Sequence, residues 1–207
     1  MTVDRERVAA LTRELLEAIG EDPERPGLKQ TPQRVADLYA EFFAGVGEDA
    51  AAPLAHTISV SRGPAPETLP SGVVVLRDIR FRSVCEHHLL PFAGRAHLAY
   101  LPGEQVVGLG ALVKVVETLA TRPQVQERLG EQIADTIDAH LDTRGVLVVL
   151  DAVHGCVTMR GGRQPEASTL TIAARGEYAD PAARAEIIAL ISASAGHGPS
   201  TISGAGF

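Results

Sequence analysis

ALVKVVETLATRPQVQERLGEQIADTIDAHLD, Ala111 to Asp142, carries apolar residues at helical spacing twice over. The first part, ALVKVVETLAT, puts Leu112, Val115, Val116 and Leu119 on one face; the second, opening at Pro123, aligns Leu129, Ile133, Ile137 and Leu141. On both sides the pattern changes. Upstream, VVVLRDIRFRSV is β-rich and partly alternating, and RAHLAYLP reads as a second strand with Pro102-Gly103 as its turn. Downstream, RGVLVVLDAVHGCVTMRG and ASTLTIAARGEY give two more. The order strand, strand, helix, helix, strand, strand predicts an α+β fold: an antiparallel four-stranded sheet with two helices on one face.

Further out, Val8, Leu11, Leu15 and Ile19 recur at helical spacing until Gly20. TPQRVADLYAEFFAG offers Thr31 as N-cap and Pro32 at the first helical position, with Val35, Leu38, Tyr39, Phe42 and Phe43 as the apolar face. Residues 1–48 therefore read as an N-terminal helical appendage. Pro, Ala and Gly dominate 49–72, a connecting segment. The main domain spans 73–193 and closes with the helix PAARAEIIALISAS, and the Gly/Ser-rich 194–207 reads as a disordered tail.

The 207 residues suit one ordinary domain with a small appendage. A net charge of -7 argues against a general nucleic-acid surface. Lys29 and Lys114 are the two lysines, and the other 17 of the 19 basic residues are Arg, suited to forked anion contacts. A polyanionic substrate would need a locally basic cleft. No apolar run approaches the roughly 18 to 20 residues that span a membrane, and the charged amphipathic N-terminus is no secretory signal. A cytoplasmic protein is expected, in which the two cysteines, Cys85 and Cys156, point to metal before disulfide.

The reactive side chains crowd into SVCEHHLLPF, Ser83 to Phe92, where Cys85, Glu86, His87 and His88 are consecutive. Positions i and i+3 of a regular strand face opposite ways, so a C-x2-H chelate by Cys85 and His88 requires the chain to turn right after Cys85. Cys156 in VHGCV supplies a third soft donor. Two thiolates and one imidazole leave a fourth tetrahedral position for water, whose pKa zinc lowers to near neutrality. Two other readings stand beside this one: cysteines buried as small apolar residues, or a closed structural site completed by His87 or His154. As non-ligands, His87 and His154 would supply a general acid and base near neutral pH; otherwise they are hydrogen-bonded structural histidines.

CEHHLLPF, RPQVQERL and DAVHGCVTMRG, in this order and at these separations, together with AIGEDPERPGLKQTPQRVADLY, resemble the GTP cyclohydrolase I family from about residue 10 to about 190. The resemblance implies a T-fold subunit, a barrel built by several subunits, and a homo-oligomer, typically a decamer, with active sites at subunit interfaces. It implies Zn2+ on Cys85, His88 and Cys156. It implies hydrolytic opening of the guanine imidazole ring of GTP at C8, formate release, and rearrangement to 7,8-dihydroneopterin triphosphate. His154 would handle protons at the purine ring and His87 assist, while Gln126 and Glu127 grip the guanine edge; a carboxylate can accept from both an N–H and an exocyclic amino group.

The triphosphate end departs from the family pattern. Where the family usually has a Ser-Lys pair followed by Arg, GLGALVKVV has Gly110, Ala111 and Lys114. Asp37 stands where some members carry Lys, and RGGRQPEAS has Gln164 and Glu166. Arg34 and Arg160 match basic phosphate contacts, and Arg163 can compensate. GTP is the expected substrate. The alternatives are a guanine nucleotide with fewer phosphates, or a non-catalytic paralogue that binds a pterin or a partner protein. A zinc nucleoside deaminase is disfavoured, because its P-C-x-x-C signature is absent.

Overall fold

A computed structural model describes residues 3–59, 72–159 and 164–192. Its elements in chain order are α1 (Arg5–Ala18), α2 (Thr31–Phe42), β1 (Thr57–Ser59), β2 (Val74–Cys85), β3 (Pro91–Pro102), β4 (Gln105–Val107), α3 (Leu109–Ala120), β5 (Pro123–Gln124), α4 (Gln126–His140), β6 (Thr143–His154), α5 (Gly155–Thr158), β7 (Thr169–Gly176) and α6 (Pro181–Ser192). The expected tail, 194–207, lies outside the described residues.

The main sheet runs β5-β2-β3-β6-β7, and β1 pairs with β4 in a separate ribbon. The four long strands are antiparallel, as the element order predicts. β5 is the departure. Pro123 does not open a helix: it and Gln124 are extended and pair in parallel with Val84 and Cys85. The helix starts only at Gln126, after an extended Val125. This two-residue strand, too short to have a period, pins the end of β2 where the reactive residues begin.

α3 and α4 cover one face of the sheet with the expected stripes. Leu112, Val115, Val116, Leu119, Leu129, Ile133 and Ile137 are all buried, and burying a Val, Leu or Ile side chain contributes about 1.5–3 kcal/mol. They meet Val146, Val148 and Leu150 of β6. The opposite face of β6, Leu147 and Val149, packs with Ala99, Leu101 and, from α6, Ile187 and Ile191. Coverage on both faces explains why β6 reads as a continuous apolar run.

Two N-terminal details differ from expectation. The cap of α2 is Gln30, without a side-chain hydrogen bond; Thr31 is already helical and Pro32 follows within the first turn, where its missing N–H costs no helical bond. α1 packs along α2, but its buried residue is Thr12, whose hydroxyl donates to Val8 O at 2.8 Å. The stripe residues Leu11, Leu15 and Ile19 are 53%, 60% and 66% exposed, because no described element of the chain lies over them. Among the described residues no helix is long and apolar enough to cross a membrane.

Candidate active site

The bend that C-x2-H requires is present. Cys85 is the last residue of β2, and its N–H donates to Leu90 O at 2.9 Å while Leu89 N–H donates back to Cys85 O at 2.8 Å. Leu89 closes this tight loop at φ 52°, a left-handed conformation uncommon for a residue with a side chain. Glu86 N–H donates to Gln124 O at 3.0 Å, so β5 holds the loop against the sheet. Cys156 arrives by another route: β6 ends at His154, and the one-turn helix α5 interrupts what the sequence reads as continuing strand. One ligand atom each from Cys85, His88 and Cys156 then lie within 4.8 Å of one another.

Two thiolates and an imidazole suit zinc, and neither cysteine is in a disulfide. Cys85 is 6% exposed, and a thiolate buried there would need a compensating positive charge, which a dication would supply. The convergence argues against cysteines that merely fill space. Among the described residues His87 and His154 fall outside the converging group, which leaves three protein ligands, the number that catalytic rather than closed structural zinc sites use.

His87 is exposed on the same loop, edge-on to His88 with 6.2 Å between ring centroids, and its Nε2 lies 3.9 Å from Glu86 Oε1. His154 is half-buried. Desolvation holds its pKa below the ordinary histidine value, against the opposing effects of the Ala152 carbonyl and the Glu127 carboxylate. Its buried Nδ1 has no hydrogen-bond partner among the described residues. Glu127 is exposed in the first turn of α4, within electrostatic reach of that ring.

Gln126 is buried. Its Nε2 is committed to Leu150 O at 3.0 Å, Thr169 O at 2.8 Å and Thr171 Oγ1 at 3.2 Å, which ties the start of α4 to β6 and β7. Only its Oε1 is without a partner, and that atom is buried as well.

Of the basic residues expected at the phosphates, Arg34 and Lys114 are described. Arg34 is exposed on α2 and donates to Gln30 Oε1 at 2.8 Å; Lys114 on α3 pairs with Glu117 at 2.7 Å. Among the described residues no hydrogen bond or ion pair joins either to Cys85, His88 or Cys156. Asp37 accepts from Arg5 at 3.2 Å and Gln33 at 3.1 Å. Arg160 and Arg163 lie outside the described residues, and Gln164 and Glu166 are exposed.

Sequence reasoning gave no role to four residues in the quoted motifs. Phe92 lies under His154, Glu86 pairs with Arg128, and Gln124 backs that pair. The available signal was opposite charge: an acid inside CEHH and a base inside QERL, two motifs with no other evident use for them.

Comparison with known proteins agrees with this geometry. Residues 8–192 match the sequence model of the family described as GTP cyclohydrolase I. The GTP cyclohydrolase 1 of Leifsonia xyli subsp. xyli is 64% identical over 188 residues, covering 91% of this chain and 95% of that protein. That of Rhodopirellula baltica is 50% identical over 194 residues, covering 93% and 81%. That of Bacillus subtilis is 50% identical over 188 residues, covering 90% and 95%.

Proposed function

The chain belongs to the GTP cyclohydrolase I family, and from that premise we propose that it opens the guanine imidazole ring of GTP by hydrolysis at C8, releases formate, and recloses the product as 7,8-dihydroneopterin triphosphate. The observation that supports this most is the convergence of Cys85, His88 and Cys156 beside two histidines that are not ligands. A zinc ion held by those three residues would supply an acidified water and Lewis acidity at the purine.

The chain's own residues do the rest. His154, whose pKa burial lowers, accepts and returns a proton at the five-membered ring. His87, exposed on the ligand loop, exchanges protons with solvent. Glu127 accepts from the guanine N–H and its exocyclic amino group, and the buried Gln126 anchors the start of α4 beside it. Arg34, Lys114, Arg160 and Arg163 bind the phosphates. A homo-oligomer, a decamer in keeping with the family resemblance, would place the active sites at its subunit interfaces. We place the enzyme in the cytoplasm and divide it into the appendage 1–48, the connector 49–72 and the T-fold domain 73–193.

The Lys114–Glu117 ion pair and the acid at Asp37 favour a second reading, a guanine nucleotide with fewer phosphates. Both readings are tested by giving zinc-loaded protein GTP, GDP, GMP and guanosine separately, following formate and, after oxidation, pterin fluorescence. Turnover of GTP above the others is expected. Preference for a less phosphorylated substrate would replace the first reading with the second, and no formate from any of them would sink both.

A further inference from the structure

Arg128 follows Glu127 on α4, and its guanidinium reaches the loop that bears two of the three metal ligands. Nη1 donates to Glu86 Oε1 at 3.4 Å and Nη2 to Glu86 Oε2, a forked contact on one carboxylate. The same guanidinium holds β5: Nε donates to Gln124 Oε1 at 3.3 Å and Nη2 to Pro123 O at 3.5 Å. Gln124 is 1% exposed, and its Nε2 is fixed by Leu119 O at 3.0 Å and Gln132 Oε1 at 2.9 Å. Glu86 closes the circuit, since its own N–H donates to Gln124 O at 3.0 Å. One network thus joins the ligand loop, the end of α3 and the first turn of α4.

Neither Glu86 nor Arg128 belongs to the buried core, and the ligand loop is already closed by its backbone bonds. An isolated pair this exposed would contribute little to stability. A forked Arg–carboxylate contact fixes orientation as well as distance. Here it spans the gap between the metal triad on one side and Glu127 on the other.

We propose that Glu86 and Arg128 are positioning residues that lock the metal-bearing loop to the first turn of α4, so that the triad and the Glu127 carboxylate keep one fixed separation across the substrate. This rests on the reading of the site given above. Both residues act through others: Glu86 through Cys85 and His88, Arg128 through Glu127.

The test is a double-mutant cycle in the full-length protein: wild type, Glu86→Gln, Arg128→Gln and the double variant. Each is assayed for Zn2+ affinity by competition with a chromophoric chelator, for the visible absorption of its Co2+ form, and for formate release from GTP. Each single substitution is expected to weaken Zn2+ binding by about 10- to 100-fold, the range for outer-shell partners of metal ligands, and to shift the Co2+ bands. It should lower kcat by about tenfold, with KM within about threefold, as misplacement of reacting groups does. The double variant should be no worse than the poorer single one, because all three lose the same contact. Arg128→Lys keeps the charge without the fork and should resemble Arg128→Gln; it also takes its place should that variant not fold. Unchanged Zn2+ affinity and Co2+ bands in the single variants, or losses that add in the double one, would reduce the pair to an ordinary surface ion pair. The metal readouts need no turnover. They decide this proposal even for a protein that releases no formate, an outcome that would count against the GTP cyclohydrolase reading instead.

Discussion

His154 lies flat on Phe92, with 4.6 Å between ring centroids and 5° between ring planes. The two are register partners across the β3–β6 ladder, and Phe92, 2% exposed, is itself held edge-on by Phe81 at 6.1 Å. With no partner for its Nδ1 among the described residues, the imidazole is held by this ring contact together with the Ala152 backbone carbonyl. Phe92→Leu keeps most of the apolar volume and removes the flat platform. Stacked pairs contribute about 0.5–1.5 kcal/mol beyond area burial, so a stability loss of about 1–2 kcal/mol is expected in thermal unfolding. If His154 is the proton-transfer residue, kcat for formate release should fall about tenfold, a fraction of the 10²–10⁴ that acid–base catalysis supplies, with KM nearly unchanged. Unaltered kcat would show that His154 needs no such platform.

Removing the metal gives the most direct check of the triad. Protein dialysed against a strong chelator should lose formate release and recover it with one equivalent of Zn2+ per chain. Cys156→Ser should bind Zn2+ more weakly by at least about a hundredfold, the upper end for outer-shell changes alone. Its fold should persist, since Cys156 is only partly buried and α5 is a single turn. Circular dichroism and metal content on the same samples separate the two effects; full zinc content in Cys156→Ser would remove that residue from the ligand set.

His97 makes folding stability depend on pH. Its Nδ1 accepts the backbone N–H of Asp78 at 3.2 Å, at a bulge in β2 where Asp78 takes φ 59°. Burial, the largest influence, lowers the His97 pKa below 6.5; Asp78 opposes it and Arg95 adds to it. The unfolded chain takes up this proton near pH 6.5 while the folded chain resists. The neutral-histidine contribution is therefore complete above about pH 6.5 and is lost as pH falls through that value toward the lower folded pKa. His97→Asn offers an acceptor without the titration. Denaturant unfolding between about pH 7 and 5 should show a shallower loss of stability in this variant than in wild type; parallel curves would clear His97 of the effect.

These sites differ in how far the sequence revealed them. The stripes of α3 and α4 were legible because period 3.6 records a buried face, and those faces are buried. Cys85, His88 and Cys156 were legible because chelate spacing implies a bend, and the bend is made by backbone bonds within the same few residues. α1 misled for a physical reason: periodicity says which residues share a face, never what covers it, and Leu11, Leu15 and Ile19 are left uncovered. β5 is too short to have a period. Glu86 and Arg128 stand 42 positions apart, so only the folded chain brings them together.

Gly110 tests whether the start of α3 is the phosphate end. It lies in the first turn of that helix, and a Cβ added there would meet nothing within 4 Å. Gly110→Ser should therefore fold, and should gain a few tenths of a kcal/mol, since Ser is the better helix former by about half a kcal/mol. The added hydroxyl joins N–H groups that have no intrahelical partner. A neutral hydrogen bond contributes about 0.5–1.5 kcal/mol, so KM for GTP should fall about two- to tenfold while KM for guanosine stays the same. Glu117→Gln, which releases Lys114 from its 2.7 Å ion pair, should also lower KM for GTP, by an amount that shrinks as salt is raised. Gains graded from GTP through GDP and GMP to guanosine place the phosphates against α3. Equal changes for all four substrates would detach α3 from the phosphates and leave Arg34 and the residues after Met159 to hold them.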